Sequence, residues 1–316
     1  MKKPRIIALL VLVTAFVASL LHFASRAHEP VYQGKSLSVW LENYLDCDGG
    51  FTTREQQLAA DLAVQHIGTN ALPFLIEMIS AKDSRLKSKL IDLLAKQRWI
   101  KIHILPAEVL QARAMVAFRA LGTTAKPVIP ELARLLNDGE SVAGVLSDIG
   151  TESIPILTNA LFHTDARVRG DAISALGDYP RTPEHSTPLD PAEQGAIDAA
   201  TPGIIHLLLH SLKDSDPNVR GRAALTLGFF AKEPALAVPA LLPLLDDNDD
   251  WPRQLAAEAL GRFREQGKSA LPALLRALKD KNPDVRRYAG GSIWLIDTEA
   301  ADKAGVNPLK KWEQQP

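Results

Sequence analysis

Apolar positions recur along the second half of the chain with a spacing that a helix places on one face. Leu157, Leu208, Leu241 and Leu274 are each followed four residues later by another leucine: Leu161, Leu212, Leu245 and Leu278. A pair spaced i, i+4 lines one side of a helical turn. Each pair sits inside a longer repeating segment: Ile154 to Gly177, Ile205 to Gly228, Val238 to Gly261, and Leu271 to Trp294. Pro155, Pro239 and Pro272 stand second in three of these, where the other has His206. Proline is tolerated in a first turn because that N–H has no intrahelical acceptor. Each segment predicts a short first helix, a turn and a second helix.

The turn carries Asp165, Asp216, Asp249 and Asn282 at one aligned position. Asp and Asn are preferred N-caps, accepting hydrogen bonds from the free N–H groups of the helix that follows. Pro217 and Pro283 come next, and Arg169, Arg220, Arg253 and Arg286 align in the first turn of the second helix. Ala172, Ala223, Ala256 and Ala289 are small enough to let helices approach closely. Gly177, Gly228 and Gly261 are expected to end their helices, and Trp294 in place of glycine is expected to mark the end of the stack.

The aligned arginines are 51, 33 and 33 residues apart. A helix–turn–helix unit fits the shorter step, and the longer one contains an insertion, about Asp178 to Thr201. With Pro180, Pro183, Pro188 and Pro191, that insertion predicts an irregular loop with one short helix about Ala192 to Ala199. The pattern also extends upstream. Pro73, Leu75, Ile79, Asp83 and Lys87 fit one unit, and Pro130, Leu132 and Leu136 fit another whose second helix, about Ser141 to Ile149, is shortened. Gln97 to Pro106 read as an insertion, Ala107 to Leu121 as a further helix, and Arg54 to Ile67 as a lone second helix opening the array.

One helical hairpin cannot bury both of its apolar faces, so neighbours must stack around a shared core. The expected fold is an all-α solenoid of stacked antiparallel helix pairs over residues 54–297. A lead-in segment (29–53) precedes it and a tail (298–316) follows. Ahead of these, Ile6 to Phe23 form an apolar run without a charge, preceded by Lys2, Lys3 and Arg5. As a helix that run would extend about 27 Å, close to the hydrocarbon thickness of a bilayer. Residues 1–28 are expected to be either an uncleaved membrane anchor or a signal peptide cut near Ala27. The run is longer than the usual signal core, but Ser25 and Ala27 suit a cleavage site. In both cases the basic flank keeps the N-terminus inside and places the repeats outside the cytoplasm. The expected location is the cell envelope, anchored in the inner membrane or exported.

Composition narrows the chemistry. There are 36 basic and 37 acidic residues, so the charge balance offers no general electrostatic case for nucleic acid. A single cysteine, Cys47, excludes intrachain disulfides and paired-cysteine redox or zinc motifs. It lies between Asp46 and Asp48, which disfavour its thiolate.

The run Pro272-Ala273-Leu274-Leu275-Arg276-Ala277-Leu278-Lys279-Asp280, with Pro283-Asp284-Val285-Arg286 after it, closely resembles the HEAT-repeat consensus. So does Asp216-Pro217-Asn218-Val219-Arg220 followed by Ala223-Ala224-Leu225. Tyr32 to Leu41 resemble the lead-in of bacterial membrane-anchored HEAT proteins. The resemblance implies a superhelix whose second helices line an inner surface suited to a protein or peptide. It also implies that each consensus arginine pairs with a turn aspartate of its own or the next repeat.

Arg167, Arg169, Arg220, Arg222, Arg286 and Arg287 are the candidate partner-binding residues, as an anion-binding ladder on that face; structural pairing is the favoured reading, because the consensus arginine recurs in every unit. His206 and His210 have the i, i+4 spacing of metal ligands but no third ligand. Ser84-Arg85-Leu86-Lys87 matches a Ser-x-x-Lys motif without its companion motifs. No catalytic constellation is found, and no cofactor, metal or nucleic acid is expected. The expected function is a non-catalytic interaction scaffold or adaptor. The alternatives are a HEAT-like lyase, which needs a pocket with convergent titratable groups, and a nucleic-acid-binding HEAT-like protein.

Overall fold

The computed structural model describes residues 29–45, 52–95, 105–179 and 190–307. The apolar run Ile6 to Phe23, Cys47, and residues 97–104 and 180–189 of the two expected insertions lie outside these. Among the described residues, no helix is long and apolar enough to cross a membrane. The chain forms two compact units, Met1–Val128 and Ile129–Pro316.

The first unit opens with strands β1 (Val31–Tyr32) and β2 (Lys35–Ser36), paired antiparallel with Tyr32 opposite Lys35. Gln33 and Gly34 between them both have positive φ, as a tight two-residue hairpin of primed type requires. Helix α1 (Leu37–Leu41) follows, and the Trp40 indole N–H donates to the Tyr32 carbonyl at 3.1 Å. Helix α2 (Arg54–Ile67) begins at a capping box of Thr53 and Gln56. Helices α3 (Leu72–Ile79), α4 (Arg85–Ala95) and α5 (Ala107–Leu121) complete this unit. Gly68 and Gly122 end α2 and α5 with positive φ, the conformation that glycine adopts without strain. Lys87, the lysine of the Ser-x-x-Lys match, is held by Asp83 at 2.6 Å.

The second unit contains the repeats. Helices α6 (Ile129–Asn137) and α7 (Ala143–Ile149) form one pair; α8 (Ile154–Ala160) and α9 (Ala166–Leu176) form the next. Then come α10 (Pro191–Ser211) with α11 (Pro217–Phe230), and α12 (Pro234–Leu241) with α13 (Asp250–Arg262). The last pair is α14 (Leu271–Ala277) with α15 (Pro283–Ile296), and α16 (Thr298–Ala304) packs against α15. The second helices pack in sequence order, α9 on α11, α11 on α13, α13 on α15. Leu157, Leu208, Leu241 and Leu274 are fully buried, as are Ala172, Ala223, Ala256 and Ala289. Burying a leucine side chain contributes about 1.5–3 kcal/mol, and in this stack the first helix supplies the leucine while the second supplies the small residue. The side chains of Asp165, Asp216 and Asn282 accept N-cap hydrogen bonds, as expected.

Two expectations change. The insertion does not return to a separate first helix: α10 runs for 21 residues straight through Pro202. Ile197, Thr201, Ile204, Ile205 and Leu208 share one buried face along it, so continuous burial outweighs the N–H that Pro202 removes. At the start of the tail, Asp297 caps α16 and Ala301 is buried.

The second change concerns the glycines. Gly228 and Gly261 do not end their helices but lie within them. A Cβ at Gly228 would stand 2.8 Å from the Ala259 Cα, and one at Gly261 would stand 2.8 Å from the Ser292 Cβ. A Cβ at Gly177 would meet the Thr226 hydroxyl at 3.0 Å. These glycines are notches that admit the next second helix. Thr226, Ala259 and Ser292, each 33 residues after the one before, are the small residues that enter them. The buried Ser292 hydroxyl then donates to the Ala257 carbonyl at 2.7 Å, and Thr226 reaches the Ile173 carbonyl at 3.3 Å in the same register.

Candidate functional site

The aligned arginines form a ladder of bidentate ion pairs. Arg169 grips Asp214 with Nε and Nη2 at 2.8 and 2.7 Å, and Arg220 grips Asp247 at 2.8 and 2.9 Å. Arg253 grips Asp280 at 2.8 and 3.1 Å. Each Nη1 donates to the carbonyls six and five residues upstream, as from Arg220 to Asp214 and Ser215 at 2.8 and 3.1 Å. One guanidinium thus ties its own turn to the turn of the next repeat. The carboxylates are also held by the N–H groups of Asp216, Asp249 and Asn282. Burial disfavours the charges on Asp214, Asp247 and Asp280. The arginines and those N–H groups outweigh it and hold all three carboxyls below the usual range.

The partner carboxylates are therefore not the aligned N-cap positions but the aspartates two residues before them. Asp249 alone plays a mixed part: its side chain makes no cap bond and instead takes Arg220 Nη2 at 3.3 Å.

This assigns most of the six candidate arginines to the fold. Arg169 and Arg220 are committed to the ladder. Arg167 donates to the Ser141 hydroxyl at 2.8 Å and to the Gly139 carbonyl. Arg222 donates to the Ser174 hydroxyl at 2.6 Å, with Asp171 at 3.6 Å. Arg286 makes only the carbonyl bonds of a rung, at 2.7 and 3.0 Å, and is exposed. Arg287 is different: it lines a groove.

That groove crosses the second-helix face of α11, α13 and α15 and has a volume of about 630 Å³. Its basic groups are Arg262 and Arg287 on the helices and Arg264 just beyond the end of α13. Phe229, Tyr288 and Leu295 supply aromatic and aliphatic surface, and Glu258 is its one acid. The Arg262 guanidinium lies 4.4 Å from the Phe229 ring centre and 2.7 Å from Glu258. Arg287 lies 4.3 Å from the Tyr288 ring centre and 3.0 Å from Asp284. Cations held over rings in this way are pre-oriented.

Two positions in the groove are locally unfavourable. Arg264 has φ +50 at the helix end, where glycine would sit without strain. Gly291 lies inside α15, yet a Cβ there would meet nothing within 4 Å. An alanine at such a position would favour the helix by up to about 1 kcal/mol. Packing requires neither residue.

Sequence reasoning located Arg287 but missed Arg262, Arg264, Phe229, Tyr288 and Gly291. Their one shared signal is position: all sit on or just after the second helices of consecutive repeats. His206 and His210 are both exposed, and no group of three or more possible metal ligands occurs among the described residues.

Residues 194–261 and 238–304 match the family model for HEAT repeats, so this part of the chain carries HEAT repeats. No curated protein sequence matches the chain. Similar solved structures include an engineered protein at 19% identity, covering 89% of this chain and 85% of that one, with a TM-score of 0.42. A designed armadillo repeat protein in complex with the peptide (KR)4 is 16% identical, covering 72% and 99% of the two chains, TM-score 0.42. A computationally designed armadillo repeat protein for modular peptide recognition is 14% identical, covering 83% and 100%, TM-score 0.40.

Proposed function

We propose that this chain is a non-catalytic interaction module that presents the second-helix face of its repeats to a protein or peptide partner. The observation that carries this reading is the groove over α11, α13 and α15, where three guanidiniums and three apolar side chains share one open surface. The other basic side chains of that face are largely consumed by the ladder, so the groove is where its chemistry remains available. The uncharged run Ile6 to Phe23, with Lys2, Lys3 and Arg5 before it, supports a location in the cell envelope with the repeats on the extracytoplasmic side.

The full-length chain, extracted in mild detergent, tests this by affinity capture from envelope membranes. One partner protein is expected at near-equal stoichiometry. The reading fails if no protein is retained above the level of an unrelated membrane protein. Protease added to spheroplasts is expected to digest the repeats; protection of the repeats would overturn the location.

A further inference from the structure

We infer that the groove over α11, α13 and α15 takes an acidic peptide in extended conformation, with carboxylates on the arginines and the peptide backbone over Gly291. This rests on the interaction reading above and names the partner's chemistry. Charge is the first argument. Arg262, Arg264 and Arg287 face one carboxylate, Glu258, within the groove. Arg262 and Arg287 already lean on Glu258 and Asp284, whereas Arg264 meets no carboxylate among the described residues. Arg264 is thus the first contact for an incoming carboxylate, and the two ring-stacked arginines flank it.

Shape is the second argument. Gly291 shares a face of α15 with Arg287, Tyr288 and Leu295, and removing its Cβ leaves bare helix backbone as floor. A floor without a side chain lets another backbone pass close by. Three helices packed at roughly 10 Å intervals span about 20 Å, the length of about six extended residues. The half-exposed Leu295 and the Tyr288 ring offer seats for alternate apolar side chains of such a strand. Glu258 adds an acceptor for a peptide N–H group at the edge of the groove.

Two substitutions separate this role from a structural one. Arg264→Gly relieves the positive φ and Gly291→Ala strengthens α15, so both are expected to leave the melting midpoint unchanged or raised. Both are expected to weaken peptide binding. The probe is a fluorescein-labelled (Glu-Leu)3 peptide, titrated with the full-length chain in mild detergent and followed by anisotropy. Matched probes are (Lys-Leu)3 and a six-nucleotide oligo-dT.

Saturable binding of the acidic peptide is expected, weakened about tenfold or more by either substitution and weakened by added salt. The inference is overturned if the acidic peptide fails to bind at about 1 mM, or if the basic peptide or oligo-dT binds as well. It is overturned equally if both variants keep full affinity. The captured partner separates the two readings. A partner retained equally by wild type, Arg264→Gly and Gly291→Ala would refute the groove but keep the interaction module, whereas no partner for wild type would refute the module itself.

Discussion

Arg220 and Asp247 belong to different repeats, yet both carboxylate oxygens of Asp247 are met by one edge of the Arg220 guanidinium, at 2.8 and 2.9 Å. The other edge of the same guanidinium reaches back to the carbonyls of Asp214 and Ser215. Asp214 is itself the acceptor for Arg169. Each rung therefore fixes the turn that offers the next acceptor, and the ladder reinforces the stacking that burial of Leu157, Leu208, Leu241 and Leu274 drives.

Removing one acceptor should cost more than a surface ion pair would. Both side chains of the Arg220–Asp247 pair are less than a fifth exposed. Asp247→Ala removes both short carboxylate bonds from a mostly buried guanidinium and leaves it only the longer contact to Asp249, and is expected to destabilise the chain by about 1–3 kcal/mol. An exposed pair such as Lys303–Glu299, screened by solvent, is expected to contribute far less. Urea denaturation of the two variants, Asp247→Ala and Glu299→Ala, measures the contrast.

Acid should dismantle the ladder. The folded-state pKa values of Asp214, Asp247 and Asp280 lie below the unfolded value of about 3.9. On acidification the unfolded chain therefore takes up these protons first. The stabilisation is complete above that value and is lost as pH falls through the folded-state values. The thermal midpoint is expected to be nearly level from about pH 7 to 5 and to fall below about pH 4. The combined Asp214→Asn, Asp247→Asn and Asp280→Asn variant is expected to start lower and fall less steeply.

The glycines divide into two groups that a melting experiment can tell apart. At Gly228 the atom in the way is backbone, the Ala259 Cα, so Gly228→Ala is expected to cost about 1–3 kcal/mol despite the better helix propensity of alanine. At Gly291 the space is empty, and the same change is expected to stabilise by up to about 1 kcal/mol. Equal effects at the two positions would contradict the notch.

These glycines also show where the sequence was legible and where it was not. Leucine and alanine spacing reveals which faces are buried, because burial repeats with the helix, and the N-caps at Asp165, Asp216 and Asn282 follow from local backbone needs. A glycine late in a helix has two physical uses, as terminator or as notch, and only the neighbouring helix decides between them: Gly68 is the first kind, Gly228 the second. The ladder acceptors were hidden for a similar reason. Asp214-Ser215-Asp216 and Asp247-Asn248-Asp249 each offer two acids two residues apart, and cap and ion pair exchange roles under that shift. The groove could not be read at all, since Phe229, Arg262 and Tyr288 meet only when three repeats stack.

A buried hydroxyl offers an independent check on the close contact of α13 and α15. Ser292→Ala deletes the donor to the Ala257 carbonyl, and is expected to lower stability by about 1 kcal/mol. Ser292→Val instead adds volume against Gly261 and is expected to cost more, because the Ser292 Cβ already stands at the notch. Urea midpoints of the two variants give the order.

The central claim is that the second-helix face holds the partner. Its most direct measurement is photo-crosslinking in the native envelope, with a benzophenone side chain placed in turn at Tyr288, in the groove, and at Leu275, exposed on a first helix. The account predicts a crosslinked protein partner from position 288 and none from position 275. A crosslink from position 275 alone, or from neither position, would contradict it.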